Sequence, residues 1–301
     1  MRHALLATTI LLAACGGESG PSGDADGHFT ALVGGEEFSS DPAYVNLGVN
    51  VTAQAPGIYV ISGGHVEGTS SEAINISLYN VRGPGTYAIG VGPTVDGASA
   101  VIVDDGKGWG TDLSGDAGTV TITQLSATRI KGTFSFVAQA VSGGATGTRE
   151  VTNGDFDLAV KSSGSLPTVP EEKGGFARGS VDGAWNASTA IALTTSTTFG
   201  LTASNTAHTV SVSIGAFTGE GTYSLSQTNP IRIVQVQGPA NDPAGSDCCW
   251  GGTTGTGTIT ITSATSKRVT GTITATLPAS GGTATSDLAV DLEFDMGLPQ
   301  F

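Results

Sequence analysis

The 301-residue sequence is poor in charge, aromatic rings and cysteine: charged residues make up 13%, aromatic residues 6%, and there are three Cys and four His. Each scarcity excludes something. Basic residues number 12 against 26 acidic ones, a formal charge of −14, so the basic footprint needed to hold nucleic acid or anionic lipid is missing. Hydrolytic sites of the Ser–His or Cys–His kind have few His to draw on, and neither G-x-S-x-G nor H-E-x-x-H occurs. No long window carries a 3.6-residue apolar period, which argues against helices. What is plentiful is Gly, 46 residues, with Thr, Ser, Ala and Val around it. That mixture suits many short strands joined by tight turns.

The chain opens Met1-Arg2-His3, followed by ALLATTILLAA over residues 4–14. This apolar run of eleven residues is too short to span a bilayer, which takes about 20, but it fits the apolar region of an export signal. The run ends Leu12-Ala13-Ala14-Cys15-Gly16, which resembles the lipobox of bacterial lipoproteins. The resemblance implies that residues 1–14 are a signal peptide and that Cys15 is acylated, its partner being membrane lipid. Gly16, rather than Asp, follows the Cys; in lipoproteins of the Gram-negative type this implies the outer membrane. Cleavage would remove Arg2 and no acid, leaving 11 basic and 26 acidic residues and a charge of −15. Residues 15–27 then read as a tether: GGESGPSGDADG over 16–27 has no large apolar residue. As a flexible coil these residues reach about 20 Å.

The other two cysteines, Cys248 and Cys249, are neighbours in SDCCWGG. A vicinal disulfide would rigidify a turn, and export favours oxidation. The alternatives are reduced thiols or pairing between molecules. The spacing and the lack of a His cluster argue against zinc.

A long internal repeat organises the rest. GTVTITQLSATRIKGTFSF (residues 118–136) returns as GTITITSATSKRVTGTITA (257–275). Other matches fall in the same order: Val33-Gly34-Gly35 with Phe38 against Val181-Asp182-Gly183 with Trp185; Ile74, Ile76, Leu78 against Val210, Val212, Ile214; Gly83-Pro84-Gly85-Thr86-Tyr87 against Gly219-Glu220-Gly221-Thr222-Tyr223; Trp109-Gly110 against Trp250-Gly251; Phe156-Asp157 against Phe294-Asp295. The chain therefore reads as β domain 1 (28–161), a Pro/Gly/Ser linker (162–175) and β domain 2 (176–301). Apolar residues alternate with polar ones in each predicted strand, as in Val120 and Ile122 among Thr119, Thr121 and Thr123. One buried and one wet face is the signature of antiparallel sheets. The predicted fold is all-β: two tandem antiparallel sandwiches or flattened barrels. Turns are expected at Gly83-Pro84-Gly85, Asp96-Gly97, Asn153-Gly154 and Gly281-Gly282.

The pattern V-x-G-x-x-[FW], G-T-Y, Trp, G-T-[VI]-T-I-T, R-[IV]-x-G-T-[FI], V-T-N-G-x-F resembles a family of uncharacterised β-rich domains of bacterial exported lipoproteins. Domain 1 carries it well, in Gly132-Thr133-Phe134-Ser135-Phe136 and Val151-Thr152-Asn153-Gly154-Asp155-Phe156, and domain 2 is divergent. The resemblance implies export and a β fold, and no activity.

The residues that could carry chemistry are few. His28, His65 and His208 read as exposed loop positions without a partner. Asp104, Asp105, Asp112 and Asp116, in DDGKGWGTDLSGDA, are a weak candidate for Ca²⁺, though Gly and Asp also simply make turns. Asp157 and Asp295 are expected to face solvent on the last strand of each domain. Trp109 and Trp250, at matching positions, either stack on a ligand or cap a core. With no catalytic constellation, the sequence is read as non-enzymatic. It describes a lipid-anchored binding or adhesion module of the cell envelope, for glycan or an envelope protein, with no cofactor. The alternatives are a structural envelope protein without a ligand and a carbohydrate-active enzyme, which needs only two carboxylates.

Overall fold

The computed structural model describes residues 27–52, 55–159, 168–226, 231–238, 249–282 and 284–299. The signal peptide, Cys15 and almost all of the tether lie outside the described residues, as does Cys248.

The first half holds eleven strands: β1 (His28–Val33), β2 (Glu36–Ser39), β3 (Asn46–Thr52), β4 (Ala55–Glu67), β5 (Ser70–Tyr79), β6 (Gly85–Ile89), β7 (Gly97–Asp104), β8 (Lys107–Gly110), β9 (Gly118–Leu125), β10 (Arg129–Ser142) and β11 (Thr148–Ala159). The second holds twelve: β12 (Gly175–Val181), β13 (Ala184–Asn186), β14 (Thr189–Thr194), β15 (Thr198–Ser204), β16 (Thr209–Gly215), β17 (Gly221–Leu225), β18 (Arg232–Gln237), β19 (Cys249–Gly252), β20 (Thr256–Ala264), β21 (Arg268–Leu277), β22 (Ala279–Gly281) and β23 (Leu288–Gly297). One 3₁₀ turn, Pro42–Tyr44, is the only helical element among the described residues.

Both halves run through the same strand order. One layer is β2-β1-β11-β10-β9-β6 in the first half and β13-β12-β23-β21-β20-β17 in the second. The other is β3-β4-β5-β7-β8 and β14-β15-β16-β18-β19, each closed by the far end of a long strand. In the first half that strand is β10, which serves both layers and sews them along one side, because β8 pairs with β7 and with β10. In the second, Pro278 separates β21 from β22 and the layers stay two six-stranded sheets. A proline cannot donate to a ladder, so a continuous strand breaks there.

The repeated words have physical meanings. Val120 and Ile122 of β9, and Ile259 and Ile261 of β20, are buried, while their Thr neighbours face outward. Gly132 and Gly271 lie under aromatic rings from the adjacent strand. A Cβ on Gly132 would come within 2.7 Å of Phe156 Cζ and overlap the Thr121 carbonyl oxygen; one on Gly271 would meet Phe294 Cζ at 2.7 Å and the Thr260 oxygen. Tyr87 donates its hydroxyl to the Gly83 carbonyl at 2.8 Å, and Tyr223 does the same to Gly219 at 2.7 Å, so G-x-G-T-Y is a turn pinned by its own tyrosine.

Two expectations are corrected. Asn153-Gly154 is no hairpin turn: it lies inside β11, where Asn153 takes φ 51° and the register slips against both β1 and β10. It is a bulge, and an Asn in the left-handed region serves a bulge as well as a turn. The described end of the predicted linker is not free either. The carbonyls of Pro170 and Lys173 accept from Arg82, Gly174 accepts from the Gly297 N–H at 2.9 Å, and β12 starts at Gly175. Composition registers the chain-breaking residues there, but not that their carbonyls are taken up by other elements.

Candidate functional site at the charged end of the first half

Inward-facing residues follow each other at every second position, so a strand's core row continues until the strand ends. On β5 that row is Leu78, Ile76, Ile74 and then Glu72; on β7 it is Ala98, Ala100, Ile102 and then Asp104. On β4 it runs Tyr59, Ile61, Gly63, His65, and on β11 Arg149 precedes Val151. The pairings His65↔Glu72, Glu72↔Asp104 and Ala138↔Arg149 bring these four row-ends together. One end of the sandwich is thus closed by charges instead of by apolar side chains.

Arg149 is the centre of the cluster. Its Nη2 donates to Asp104 Oδ2 at 2.6 Å, its Nη1 is 3.6 Å from Glu72 Oε1, and its Cζ lies 4.1 Å from the centroid of the Trp109 ring. Glu72 and Asp104 keep 28% and 31% of their side-chain surface exposed. Burial, and secondarily the neighbouring Asp104, push the Glu72 carboxyl above its usual range, against the pull of Arg149 and His65. Asp41 holds the flank: Oδ1 is 3.2 Å from His65 Nδ1 and Oδ2 accepts the Val66 N–H at 3.1 Å.

The predicted site residues fall as follows. Trp109 is 4% exposed, with Nε1 donating to the Thr146 carbonyl at 3.2 Å and Arg149 over its ring. Of the two roles open to it, the structure gives it the core, not a stacking platform. Trp250 occupies the matching register, opposite Val236 as Trp109 is opposite Ile102, and its Nε1 donates to Ser286 O at 3.0 Å; it is half-buried. Of the predicted acidic group, Asp104 belongs to the Arg149 cluster. Asp105, at φ 47°, accepts the Ser71 N–H at 2.9 Å, Asp112 accepts from Ser114 Oγ at 2.6 Å, and Asp116 donates its N–H to that same Oγ at 3.5 Å. The four do not converge, and among the described residues no three His, Cys, Asp or Glu side chains are grouped to hold a metal ion. Their Gly-rich surroundings are turn chemistry. Cys249 is half-buried at the start of β19; the proposed bridge to Cys248 falls outside the described residues.

Of the histidines, His28 is exposed and His208 lies in the loop between β15 and β16, as expected, whereas His65 lies within a strand and not in a turn. His65 lies on β4, paired with Asp41, and His28 opens β1 beside Asp155. His208 packs 6.2 Å from the Trp250 ring, and its Nδ1 is buried without a hydrogen-bond partner among the described residues. Burial lowers its pKa, opposed by Asp182. Asp157 and Asp295 are partly covered: Asp157, 16% exposed, binds Arg129 and Lys131, and Asp295 binds Arg268 Nε at 2.5 Å. These two ion pairs fasten the last strand in each half. The pairing with Arg129 and Lys131 holds Asp157 below the usual carboxylate range.

Sequence reasoning missed Glu72 and Arg149. Glu72 stands in phase with Ile74, Ile76 and Leu78, and Arg149 in phase with Val151, so each was readable as an inward charge. At the corresponding positions the second half has His208 before Val210 and Leu288 before Val290, with Leu277↔Leu288 matching Ala138↔Arg149. Among the described residues, the charged end belongs to the first half alone.

Neither the curated proteins nor the solved structures offer a match to the chain. A family model does: residues 42–159 match a domain of unknown function (DUF6252), and that span holds every member of the charged cluster except Asp41.

Proposed function

We propose that the chain is a lipid-anchored, exported binding module of the cell envelope, built from two copies of one β domain and non-catalytic. The anchor reading rests on the lipobox-like run ending at Cys15. The two-copy reading is supported by the shared strand order and by repeated devices: Gly132 with Gly271, Tyr87 with Tyr223, and the Arg129–Asp157 pair with Arg268–Asp295.

The observation that carries binding is the Glu72–Arg149–Asp104 cluster. A half-buried ionic end costs desolvation that an apolar end avoids, and the second half closes the same place with Leu288. Such a cluster offers directional hydrogen bonds to a partner, which apolar closure does not. The partner it suits is hydroxyl-bearing or cationic, a glycan or an envelope-protein segment, since the carboxylates there outnumber Arg149. Hydrolysis is a poorer fit. Glu72 and Asp104 sit side by side on neighbouring strands and share one guanidinium, whereas glycosidic cleavage uses carboxyls on either side of a bond.

The test is a glycan-array and envelope-protein screen with residues 28–301, repeated with Glu72→Gln and Asp104→Asn. Binding that the variants weaken at least tenfold supports the reading. Binding indifferent to both variants, or none, leaves a structural envelope role instead.

A further inference from the structure

Residues 90–96 join β6 to β7 in the first half, yet Val91 and Val95, each 1% exposed, pack in the hydrophobic core of the second half. The loop is held in shape by its own half. Asn80, buried and at φ 54°, donates Nδ2 to the carbonyls of Pro93 and Val95, both at 3.0 Å. The N–H groups of Gly90 and Val91 both go to the Ala98 carbonyl, at 2.9 and 3.0 Å.

The preformed loop then makes a hydrogen-bonded seam with β12 and β14. Asp96 N–H donates to Gly175 O at 2.7 Å while Gly175 N–H returns to Asp96 Oδ1 at 2.8 Å. Gly92 N–H donates to Ser188 O at 2.8 Å, and Ala190 N–H to Thr94 Oγ1 at 3.2 Å. Arg82 closes the seam, with Nη1 on Asp96 Oδ2 at 2.9 Å and Nη2 on Lys173 O at 2.6 Å. Glycine lets the backbones meet: a Cβ on Gly174 would overlap Asp96 Oδ1, and one on Gly115 would lie 2.5 Å from Asn186 O.

We infer that residues 90–96 are a docking element that completes the core of the second half, so that the two halves unfold as one body. A rigid loop docks at low entropic cost, and an apolar pair removed from a core leaves a void that the surroundings only partly fill. The device is specific to the first half. The corresponding connection, residues 226–231, reads SQTNPI and has neither the valine pair nor an acid. A consequence is that the charged end of the first half and the Trp250–His208 end of the second are held at a fixed separation.

Hydrogen exchange on the full chain tests this. The wild-type chain should unfold in one calorimetric transition. Val95→Ser should lower protection at least tenfold in the slowest-exchanging amides of both halves, β14–β16 and β18 in the second and β9–β11 in the first, and Asp96→Ala should do the same more weakly. Loss confined to β14–β18, with β9–β11 exchanging as in the wild type, would show that the halves unfold separately and would also overturn the inference. Two separate wild-type transitions, or a Val95→Ser chain whose second half exchanges as slowly as the wild type, would overturn the inference.

Discussion

Removing the Arg149 guanidinium is the sharpest perturbation of the charged end. Arg149→Ala loses the stacking on Trp109, worth about 1 kcal/mol for a partly desolvated cation over an indole. It also loses the 2.6 Å charge-assisted bond to Asp104; at roughly one-third exposure, the bond to a charged group counts about 1–1.5 kcal/mol. Finally it leaves Glu72 and Asp104 directly opposite each other without a guanidinium between them, a repulsion of about 0.5–1 kcal/mol. The total is about 3 kcal/mol, and in a cooperative unit of this size that lowers Tm by about 6–12 °C. The pH dependence separates electrostatics from lost packing. Without Arg149, Glu72 rises further above its usual range, so the folded state takes up a proton that the unfolded chain does not. Stability of the variant should therefore fall as pH rises through the raised Glu72 value, and be partly recovered on acidification towards the ordinary carboxylate range. Arg149→Met, which keeps a stem over Trp109, should lose less, and Glu72→Gln on that background should flatten the pH profile. Urea melts at several pH values measure all of this. A loss under about 0.5 kcal/mol, the range of an indifferent surface change, with no altered pH profile would refute the reasoning.

Gly132→Ala, and separately Gly271→Ala, should each cost about 2–3 kcal/mol, because the added methyl meets a backbone carbonyl that cannot move aside; chemical denaturation of each variant should show equal sensitivity in the two halves. Asp96 is pushed up by burial, against Arg82 and the Gly175 N–H, so its contribution is best at low pH and declines as pH rises through the raised value; Asp96→Asn should remove that slope, and an unchanged pH–stability curve would count against it. Cys15→Ala should abolish incorporation of labelled fatty acid in a lipoprotein-processing host; persistent labelling would sink the anchor assignment. Non-reducing mass spectrometry of the peptide holding Cys248 and Cys249 should show the loss of two hydrogens, and two free thiols in freshly exported protein would dismiss the bridge.

Strands, their two faces and the repeated motifs are local matters, and the sequence determined them. Alternation at Ile74-Asn75-Ile76-Ser77-Leu78 or Val120-Thr121-Ile122 sorts side chains into a wet and a dry face whatever lies opposite, because successive Cβ atoms point to opposite sides. Gly132 before its Thr and Phe, and Tyr87 four residues after Gly83, act within a turn or a neighbouring strand, so their repetition was legible as repeated scaffold. The charged end was not. Glu72, Asp104 and Arg149 sit on three strands distant in the chain, and only the ladder registers, with the bulge at Asn153, decide that their rows finish at the same place. The valines of residues 90–96 escaped for a different reason: a loop has no period, so nothing in GVGPTVD marks two side chains as core, still less as the core of the other half. Burial in a loop is set by what the loop touches, and that is known only once both halves are folded against each other.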